Sequence, residues 1–153
     1  MQYNPNLTML LVKTRLGQSK IQGMGLFADE FIPKGTLVQK FIDGVDLELT
    51  PEVVDILPGP AKKNFLHYAY RNKITNKYIL NSDDARFLNS SVTPNLIGDE
   101  LNKEADIAAR DIERGEELTV DYSDFDDLAQ EKLKQHKPHR KILWGNGGEG
   151  NVF

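Results

Sequence analysis

Three separated segments of the chain carry the residue types most suited to chemistry. Tyr122 closes the segment GEELTVDY, Asn89 lies within RFLNSSVTPN at residues 86–95, and two glycines open GMGLFA at residues 23–28. A tyrosine hydroxyl can orient a reacting group, although in a core it needs only a hydrogen-bond partner. Asparagine can bind a ligand or bond its own turn, and glycine either allows another molecule close to the backbone or simply makes a turn. Each segment therefore has both a site interpretation and a purely structural one.

The sequence does not support cysteine chemistry, a metal site or a phosphate-binding loop. The chain has no cysteine, which removes disulfides, thiolate zinc sites and a cysteine nucleophile. His136 and His139 have a spacing that can join two metal ligands on a helix, but Pro138 lies between them and no carboxylate accompanies them in a motif. The segment GNGGEG at residues 145–150 lacks the Gly-Lys-Ser/Thr ending of a phosphate-binding loop. We therefore predict no metal site and no nucleoside triphosphatase.

Length and composition indicate one globular domain. The chain has 153 residues, of which 39% are hydrophobic and 27% are charged, a balance that fits neither a disordered nor a membrane protein. No apolar run approaches the roughly 18 to 20 residues of a spanning helix, and residues 1–6 do not have the pattern of a signal peptide. The cytoplasm is the default expectation, and signal-independent secretion stays open.

Acidic residues are concentrated in one part of the chain. Residues 97–131 contain thirteen acids and three bases, a net charge of −10 for that segment against −4 for the whole chain. Such a segment disfavours binding to a phosphate backbone and favours a basic partner. The alternative is a well-solvated surface, and the basic residues 132–141 are able to fold back on the acids.

The apolar pattern predicts a mostly β protein with a few short helices. Predicted strands cover residues 7–16, 37–43, 77–80, 105–111 and 117–122. One helix is predicted to start at Thr50-Pro51 and to stop at the Pro-Gly-Pro of residues 58–60, and a second covers residues 61–70. A third runs from about Asp124, with Ser123 as its cap, to a point before Pro138.

The three segments, in this order, resemble the signature motifs of SET-domain lysine methyltransferases. The resemblance runs from about residue 10 to residue 124, with the short spacing of compact bacterial or viral members. It rests mainly on the second and third segments, since Gly-x-Gly alone occurs in many turns. It implies a SET-like β-clip fold of small curved sheets with a knot-like crossing, short helices and a C-terminal helix. It also implies a catalytic domain at residues 1–125, closed by a helix and glycine-rich tail at 126–153, as one domain overall.

The resemblance further implies the reaction. A methyl group passes from S-adenosylmethionine to the ε-amino group of a protein lysine, and S-adenosylhomocysteine is the product. An in-line displacement of this kind requires the protein mainly to align the two reactants and to exclude water. The amine must be neutral, and an apolar channel lowers its pKa by desolvation. By resemblance Tyr122 holds the catalytic position, with its hydroxyl near the methyl group and the incoming nitrogen.

Residues that hold the cofactor are likewise implied by the resemblance. They are Gly23, Met24, Gly25, Arg86, Phe87, Asn89, Ser90, Tyr122 and Trp144. Ser90 stands where the family usually has histidine, although contacts made by the backbone survive that change. Arg86 has a second interpretation, an ion pair with Asp83 or Asp84. Trp144 either packs on the cofactor or anchors the C-terminal tail. The cysteine cluster that closes the site in many relatives has no counterpart in this chain.

Aromatic side chains are expected to form the lysine channel. Ring faces attract ammonium groups through cation–π contacts of roughly 0.5 to 2 kcal/mol. The candidates are Tyr68, Tyr70, Tyr78 and Phe125, each of which has an alternative place in the core. Tyr70 is the best placed by resemblance.

Two functions remain open on the sequence alone. The first is an active methyltransferase whose substrate is a lysine-containing, basic protein or peptide, without direct binding to nucleic acid or membranes. The second is a SET-like module that binds protein and is catalytically weak or inactive, an alternative that rests on Ser90. Binding of S-adenosylhomocysteine discriminates between them.

Overall fold

The computed structural model describes residues 10–102 and 104–135. Within them the chain forms short strands and short helices. The strands are β1 (Thr14–Gln18), β2 (Met24–Ala28), β3 (Leu37–Lys40), β4 (Leu47–Leu49), β5 (Tyr70–Arg71), β6 (Tyr78–Leu80), β7 (Asn89–Ser90), β8 (Leu96–Gly98), β9 (Ala105–Ala108) and β10 (Thr119–Val120). The helices are α1 (Pro51–Asp55), α2 (Gly59–Tyr68), α3 (Tyr122–Phe125) and α4 (Ala129–Gln135), with a 3-10 helix at Asp84–Phe87.

The strands form small sheets rather than one continuous sheet. The sheets β1-β2, β3-β9-β8 and β4-β6-β5 are antiparallel, whereas β7 and β10 run parallel. In the parallel pair Asn89 lies opposite Thr119 and Ser90 lies opposite Val120. This pairing joins the second and third motif segments. The predicted fold class, mostly β with small sheets and few short helices, is confirmed.

Two clusters of buried apolar side chains hold these sheets together. The larger one consists of Leu26, Ala28, Ile32, Val38, Ala85, Leu88, Leu96, Ala108, Ile112, Leu118 and Val120. The smaller one, Val54, Phe65 and Ala69, packs α1 and α2 against the sheet of β4, β5 and β6. Leu88 directly precedes Asn89, and Val120 lies two residues before Tyr122. The larger core therefore fixes the backbone from which both polar side chains extend.

Two turns of the same construction lie next to this core. The segments Ile-Pro-Lys-Gly and Ile-Glu-Arg-Gly each end in a glycine with positive φ, 81° at Gly35 and 93° at Gly115. The isoleucines, Ile32 and Ile112, exchange backbone hydrogen bonds of 2.9 Å in both directions. A residue with a Cβ is strained at such φ values. The glycines thus allow the tight turn that starts the third motif segment.

The chain after β10 differs from the sequence prediction. β10 ends at Val120, and Tyr122 is the first residue of α3 rather than the last residue of a strand. Asp121 caps α3, because its carboxylate accepts a hydrogen bond of 2.9 Å from the Ser123 amide. The predicted cap, Ser123, lies inside the helix. The single long helix is also wrong, because Asp126 has extended φ and ψ values and separates α3 from α4.

The other strand and helix boundaries lie closer to the sequence prediction. β1 begins at Thr14, and residues 7–9 of the predicted first strand lie outside the described residues. Pro58-Gly59-Pro60 separates α1 from α2 as predicted, but it also supplies the cap and the first turn of α2. None of the described helices is long and apolar enough to cross a membrane.

Candidate functional site

A cavity of about 610 Å³ lies where the three motif segments meet. Gln22 and Gly23 of the turn before β2 line it together with Met24 at the start of β2, and the 3-10 helix and the residues after it contribute residues 86–89. Tyr122 also lines the cavity. The volume is in the usual range for small-molecule and cofactor sites. The fold therefore brings most of the sequence-predicted residues to one place.

Tyr122 is held at three points. Its hydroxyl donates a hydrogen bond to the Leu88 carbonyl at 2.5 Å, and its ring meets that of Phe125 edge to face, with the centroids 6.1 Å apart. Its amide donates to the Ser90 hydroxyl at 3.1 Å. Burial raises the pKa of Tyr122 to about 12, and the charge of Asp126 adds to this. At neutral pH the group is a protonated, fixed hydrogen-bond donor.

Ser90 thus has a contact that the sequence did not reveal. Its hydroxyl oxygen accepts from the backbone of Tyr122 across the parallel pair of β7 and β10. Ser90 also lines a second, smaller cavity of about 100 Å³, together with Asn89 and Tyr122. The serine therefore supports the position of Tyr122.

Asn89 is buried and connects two motif segments. Its amide nitrogen donates to Glu117 Oε1 at 2.9 Å and lies 3.2 Å from the Gln22 carbonyl oxygen and 3.1 Å from the Met24 carbonyl oxygen. Asn95 connects the second and third segments in a similar way, because its side chain bonds the backbone of Glu117 and Thr119. Both asparagines therefore hold the site together, and Asn89 also faces the cavity.

The two glycines have different environments. Gly23 has φ 48° and lines the cavity, and nothing lies within 4 Å of the place where a Cβ would stand. Gly25 is buried and is not among the lining residues; a Cβ there would stand 2.9 Å from Glu117 Cδ. The predicted close approach of a bound molecule suits Gly23 and Met24. At Gly25 the missing Cβ accommodates Glu117 instead.

Arg86 and Phe87 line the cavity together. The Arg86 guanidinium lies over two rings, 5.7 Å from the centroid of Tyr68 and 5.3 Å from that of Phe87. Within the described residues it forms no ion pair with either aspartate, so the predicted pair with Asp83 or Asp84 is wrong. Asp83 instead accepts hydrogen bonds from the amides of Leu10 and Ala85, the second of which caps the 3-10 helix.

Three of the four channel candidates line the cavity. They are Tyr68, Tyr70 and Phe125. The rings of Tyr70 and Phe125 pack edge to face with centroids 5.0 Å apart. Tyr78 lies elsewhere: it packs against the smaller core cluster, with Phe65 at 6.2 Å and the Arg71 guanidinium over its ring. The strand register explains this correction, because Arg71 pairs with Tyr78, so both point away from the face that carries Tyr70.

The cavity wall is strongly acidic. The lysines and arginine that line the cavity are Lys73, Arg86 and Lys132. The lining carboxylates are more numerous: Glu48, Asp99, Glu100, Glu104, Asp106, Asp121, Asp124 and Asp126. Burial raises the pKa of Asp106, while a hydrogen bond from Gln39 acts in the opposite direction. Burial also raises the pKa of Tyr70, as do neighbouring carboxylates, of which Asp106 has the largest effect. The wall thus has a negative potential that suits a cation.

Asp106 is a residue that sequence reasoning missed. It lies in the middle of β9, within the otherwise apolar run ADIAA. A lone acid in a buried strand is the signal that points to it, because carboxylates are rarely buried without a partner or a role.

The remaining candidates fall outside what the structure describes. Trp144, His136 and His139 belong to residues 136–153. Among residues 10–102 and 104–135 no group of three or more histidine, aspartate or glutamate side chains is arranged to hold a metal ion.

The sequence is similar to that of known proteins. The SET domain family matches residues 23–123. Human Histone-lysine N-methyltransferase 2D is 30% identical over 127 residues, which cover 79% of this chain and 2% of that protein. Histone-lysine N-methyltransferase trr of Drosophila melanogaster is 34% identical over 116 residues, 70% of this chain and 5% of that protein. The chain thus spans only a small fraction of the length of these relatives.

A solved structure is also similar. The methyltransferase domain of human Histone-lysine N-methyltransferase SETMAR has a TM-score of 0.53 and 27% sequence identity, with 74% of this chain and 45% of that chain covered.

Proposed function

The chain belongs to the SET domain family, and from this premise we propose that it is a methyltransferase that modifies a lysine of a basic protein. The methyl donor in this proposal is S-adenosylmethionine. The observation that carries the proposal is the fixed, protonated hydroxyl of Tyr122 at the wall of a cavity with aromatic and acidic sides. These are the features that a cationic side chain and an aligned transfer require.

The residues around Gly23 fit the cofactor. Open space beside the Gly23 backbone admits a ligand, and the exposed Met24 and the ring of Phe87 supply apolar surface next to it. The Arg86 guanidinium and the polar side chain of Asn89 add groups suited to an amino-acid end. S-adenosylmethionine, when bound, supplies a methyl group on a positively charged sulfur. Gly23, Met24, Arg86, Phe87 and Asn89 would hold it.

The other half of the cavity suits the lysine. Acidic side chains at the wall attract the ammonium form, and the rings of Tyr70 and Phe125 replace water around it. The amine must lose its proton before it reacts, and removal of water favours the neutral form. Tyr122 does not take that proton, since its own pKa of about 12 keeps the hydroxyl protonated. Its task is to orient the amine, and the proton leaves to solvent.

Substrate class and domain organisation are part of the same proposal. The names of the relatives say that they act on histone lysines, and histones are basic proteins of the kind that the acidic wall favours. We place the catalytic domain at residues 1–125. Asp126 and Lys132 lie at the cavity wall, which supports a closing role for the C-terminal segment from residue 126 onwards.

The test is methyl transfer from labelled S-adenosylmethionine to histones and other lysine-rich proteins. Tyr122→Phe removes one hydroxyl, whose oxygen is free to accept from the amine while its hydrogen is donated to Leu88, and is expected to lower kcat by about 100-fold or more, the usual cost of losing a fixed polar group at a reacting centre. Tyr78→Phe is the matched control, because Tyr78 lies outside the cavity lining. Equal incorporation by wild type and Tyr122→Phe would contradict the role of Tyr122.

A catalytically weak or inactive binding module is the second candidate, favoured by Ser90 in the usual place of histidine. The hydroxyl of Ser90 nevertheless supports Tyr122 directly, an observation that favours the enzyme. Calorimetry with S-adenosylhomocysteine separates the two. Binding supports the enzyme, whereas no heat at millimolar ligand supports the inert module.

A further inference from the structure

We infer that Glu117 is a positioning residue for the cofactor loop, by which we mean residues 19–24. Its side chain holds this loop in the conformation that presents Gln22, Gly23 and Met24 to the cavity. The inference rests on the proposed function, because it assigns the loop to cofactor binding. It adds a residue that has no place among the cavity lining and that acts through its neighbours.

The first contact of Glu117 is with the start of the loop. Ser19 Oγ donates to Glu117 Oε2 at 3.0 Å. The same hydroxyl oxygen accepts from the amides of Ile21 at 2.8 Å and Gln22 at 3.1 Å, and the Ser19 amide donates to the Gly23 carbonyl at 2.8 Å. The loop is therefore closed on Ser19, and Glu117 fixes the orientation of the hydroxyl on which it closes.

The second contact is with the end of the loop, through Asn89. The Asn89 amide nitrogen has two hydrogens for three oxygen neighbours, and its shortest contact is 2.9 Å to Glu117 Oε1. The other two neighbours are the Gln22 and Met24 carbonyl oxygens of the loop. Glu117 thus orients the amide that lies against both carbonyls. One carboxylate of the third motif segment thus bonds both the loop and the second motif segment.

Gly25 supplies the space for this carboxylate. A Cβ at Gly25 would stand 2.9 Å from Glu117 Cδ, closer than real Cβ contacts allow, and 3.1 Å from Ser19 Cβ, which is a tight contact. Gly25 itself has no positive φ, so the backbone conformation does not require glycine. The requirement comes from Glu117 and Ser19.

The backbone of Glu117 is itself well fixed. Its carbonyl oxygen accepts from Asn95 Nδ2 at 2.8 Å, and it forms a bridge with Phe27 of β2. The side chain therefore extends from a rigid position into the space beneath the loop. Such a group sets the geometry of a binding loop without contacting the ligand.

The experiment compares Glu117→Ala with wild type by calorimetry and steady-state kinetics, well below the unfolding temperature. We expect the Kd for S-adenosylhomocysteine and the KM for S-adenosylmethionine to rise about tenfold, or about 1.4 kcal/mol. The KM for the protein substrate and kcat should stay within about twofold, since the lysine side of the cavity is unchanged. Gly25→Ala should weaken cofactor binding in the same way, because its methyl group displaces the carboxylate.

The double variant is the sharpest test. In the Glu117→Ala background the closest neighbour of the new methyl group is gone and only Ser19 Cβ at 3.1 Å has to yield slightly, so Gly25→Ala should add less than about twofold, whereas independent effects multiply. Glu116→Gln is the matched control, because this neighbouring carboxylate pairs with Arg110 at the surface. Multiplicative effects, an unchanged Kd in Glu117→Ala, or equal loss in all kinetic parameters would overturn the inference.

A separate readout distinguishes this inference from the proposed function. Amide hydrogen exchange at Ile21 and Gln22 reports the loop without any ligand, because both amides donate to Ser19 Oγ. Faster exchange in Glu117→Ala than in Glu116→Gln supports the positioning role even if wild type binds no cofactor. Equal exchange in the two variants would contradict it.

Discussion

For single residues, burial decides what Tyr122 can do. The hydroxyl faces the Leu88 carbonyl and the ring packs against Phe125, so the ionised form has little access to water. A phenolate in such a place is disfavoured, and the pKa of Tyr122 rises to about 12. The group therefore orients its partner and does not accept its proton. That division of tasks follows from geometry, since a tyrosine at the surface titrates near pH 10.

Because the pKa of Tyr122 is raised, the free energy of unfolding should fall at alkaline pH. The folded state holds the Tyr122 proton up to about pH 12, whereas the unfolded chain releases it near pH 10. The resulting stability is fully present below pH 10 and is lost as the pH rises towards 12. Between pH 8 and pH 11 wild type should lose about 1.4 kcal/mol more unfolding free energy than Tyr122→Phe.

Urea unfolding at pH 8, 10 and 11 measures this difference. Tyr70 also has a raised pKa, but it is present in both proteins and cancels in the comparison. If the unfolding free energies of the two proteins changed with pH in the same way, the Tyr122 hydroxyl would not be buried in solution.

Among the elements, the parallel pair of β7 and β10 assembles the site. It places Ser90 and Asn89 beside the strand that leads to Tyr122. Sequence patterns predicted β3, β6 and β9 and the motif residues, because apolar alternation and turn residues are local signals. They did not place the end of β10, since Asp121 and Ser123 are both good caps and the choice depends on distant pairing with β7.

Long-range register also explains which aromatic residues reach the cavity. Tyr70 and Tyr78 are both tyrosines in short strands, and composition does not separate them. The pairing of Tyr70 with Ile79, which also lines the cavity, and of Arg71 with Tyr78 puts them on opposite faces. The contact between Glu117 and Asn89 was likewise not predictable from local sequence patterns, because the two residues are 28 positions apart.

The contacts that attach α4 to the rest of the protein predict the effect of a substitution on stability. Lys132 Nζ donates to Asp126 Oδ2 at 2.8 Å and to the Ala69 carbonyl, and Asp126 is only 1% exposed. Asp126 Oδ1 also accepts from the Arg71 amide at 3.0 Å. Lys132→Met should lower the unfolding free energy by about 2 kcal/mol, because it removes a charged hydrogen bond from a buried carboxylate. Urea denaturation measures the loss.

Lys134→Met provides the control for α4. It changes an exposed lysine of the same helix and should shift the unfolding free energy by less than about 0.5 kcal/mol. Equal effects of the two substitutions would show that the helix is not attached through Lys132.

Over the whole molecule, charge is distributed unevenly in space as well as in sequence. The chain has a net charge of −4, yet carboxylates dominate one cavity wall. Some acids elsewhere are neutralised, for example the half-buried Glu116 by Arg110 and Asp29 by Arg114. A field concentrated at one opening attracts a cationic protein and accelerates its association.

This field predicts a salt-dependent preference for basic substrates. Changing Asp99, Glu100 and Glu104 at the cavity to the corresponding amides should lower kcat/KM for a basic peptide about tenfold at low salt. It should also flatten the fall of kcat/KM with ionic strength, because exposed charges are screened over about 8 Å at physiological salt. Glu52, Glu113 and Glu131, changed to glutamine together, remove the same charge away from the lining. If both triple variants lose activity equally, net charge rather than the acidic wall attracts the substrate.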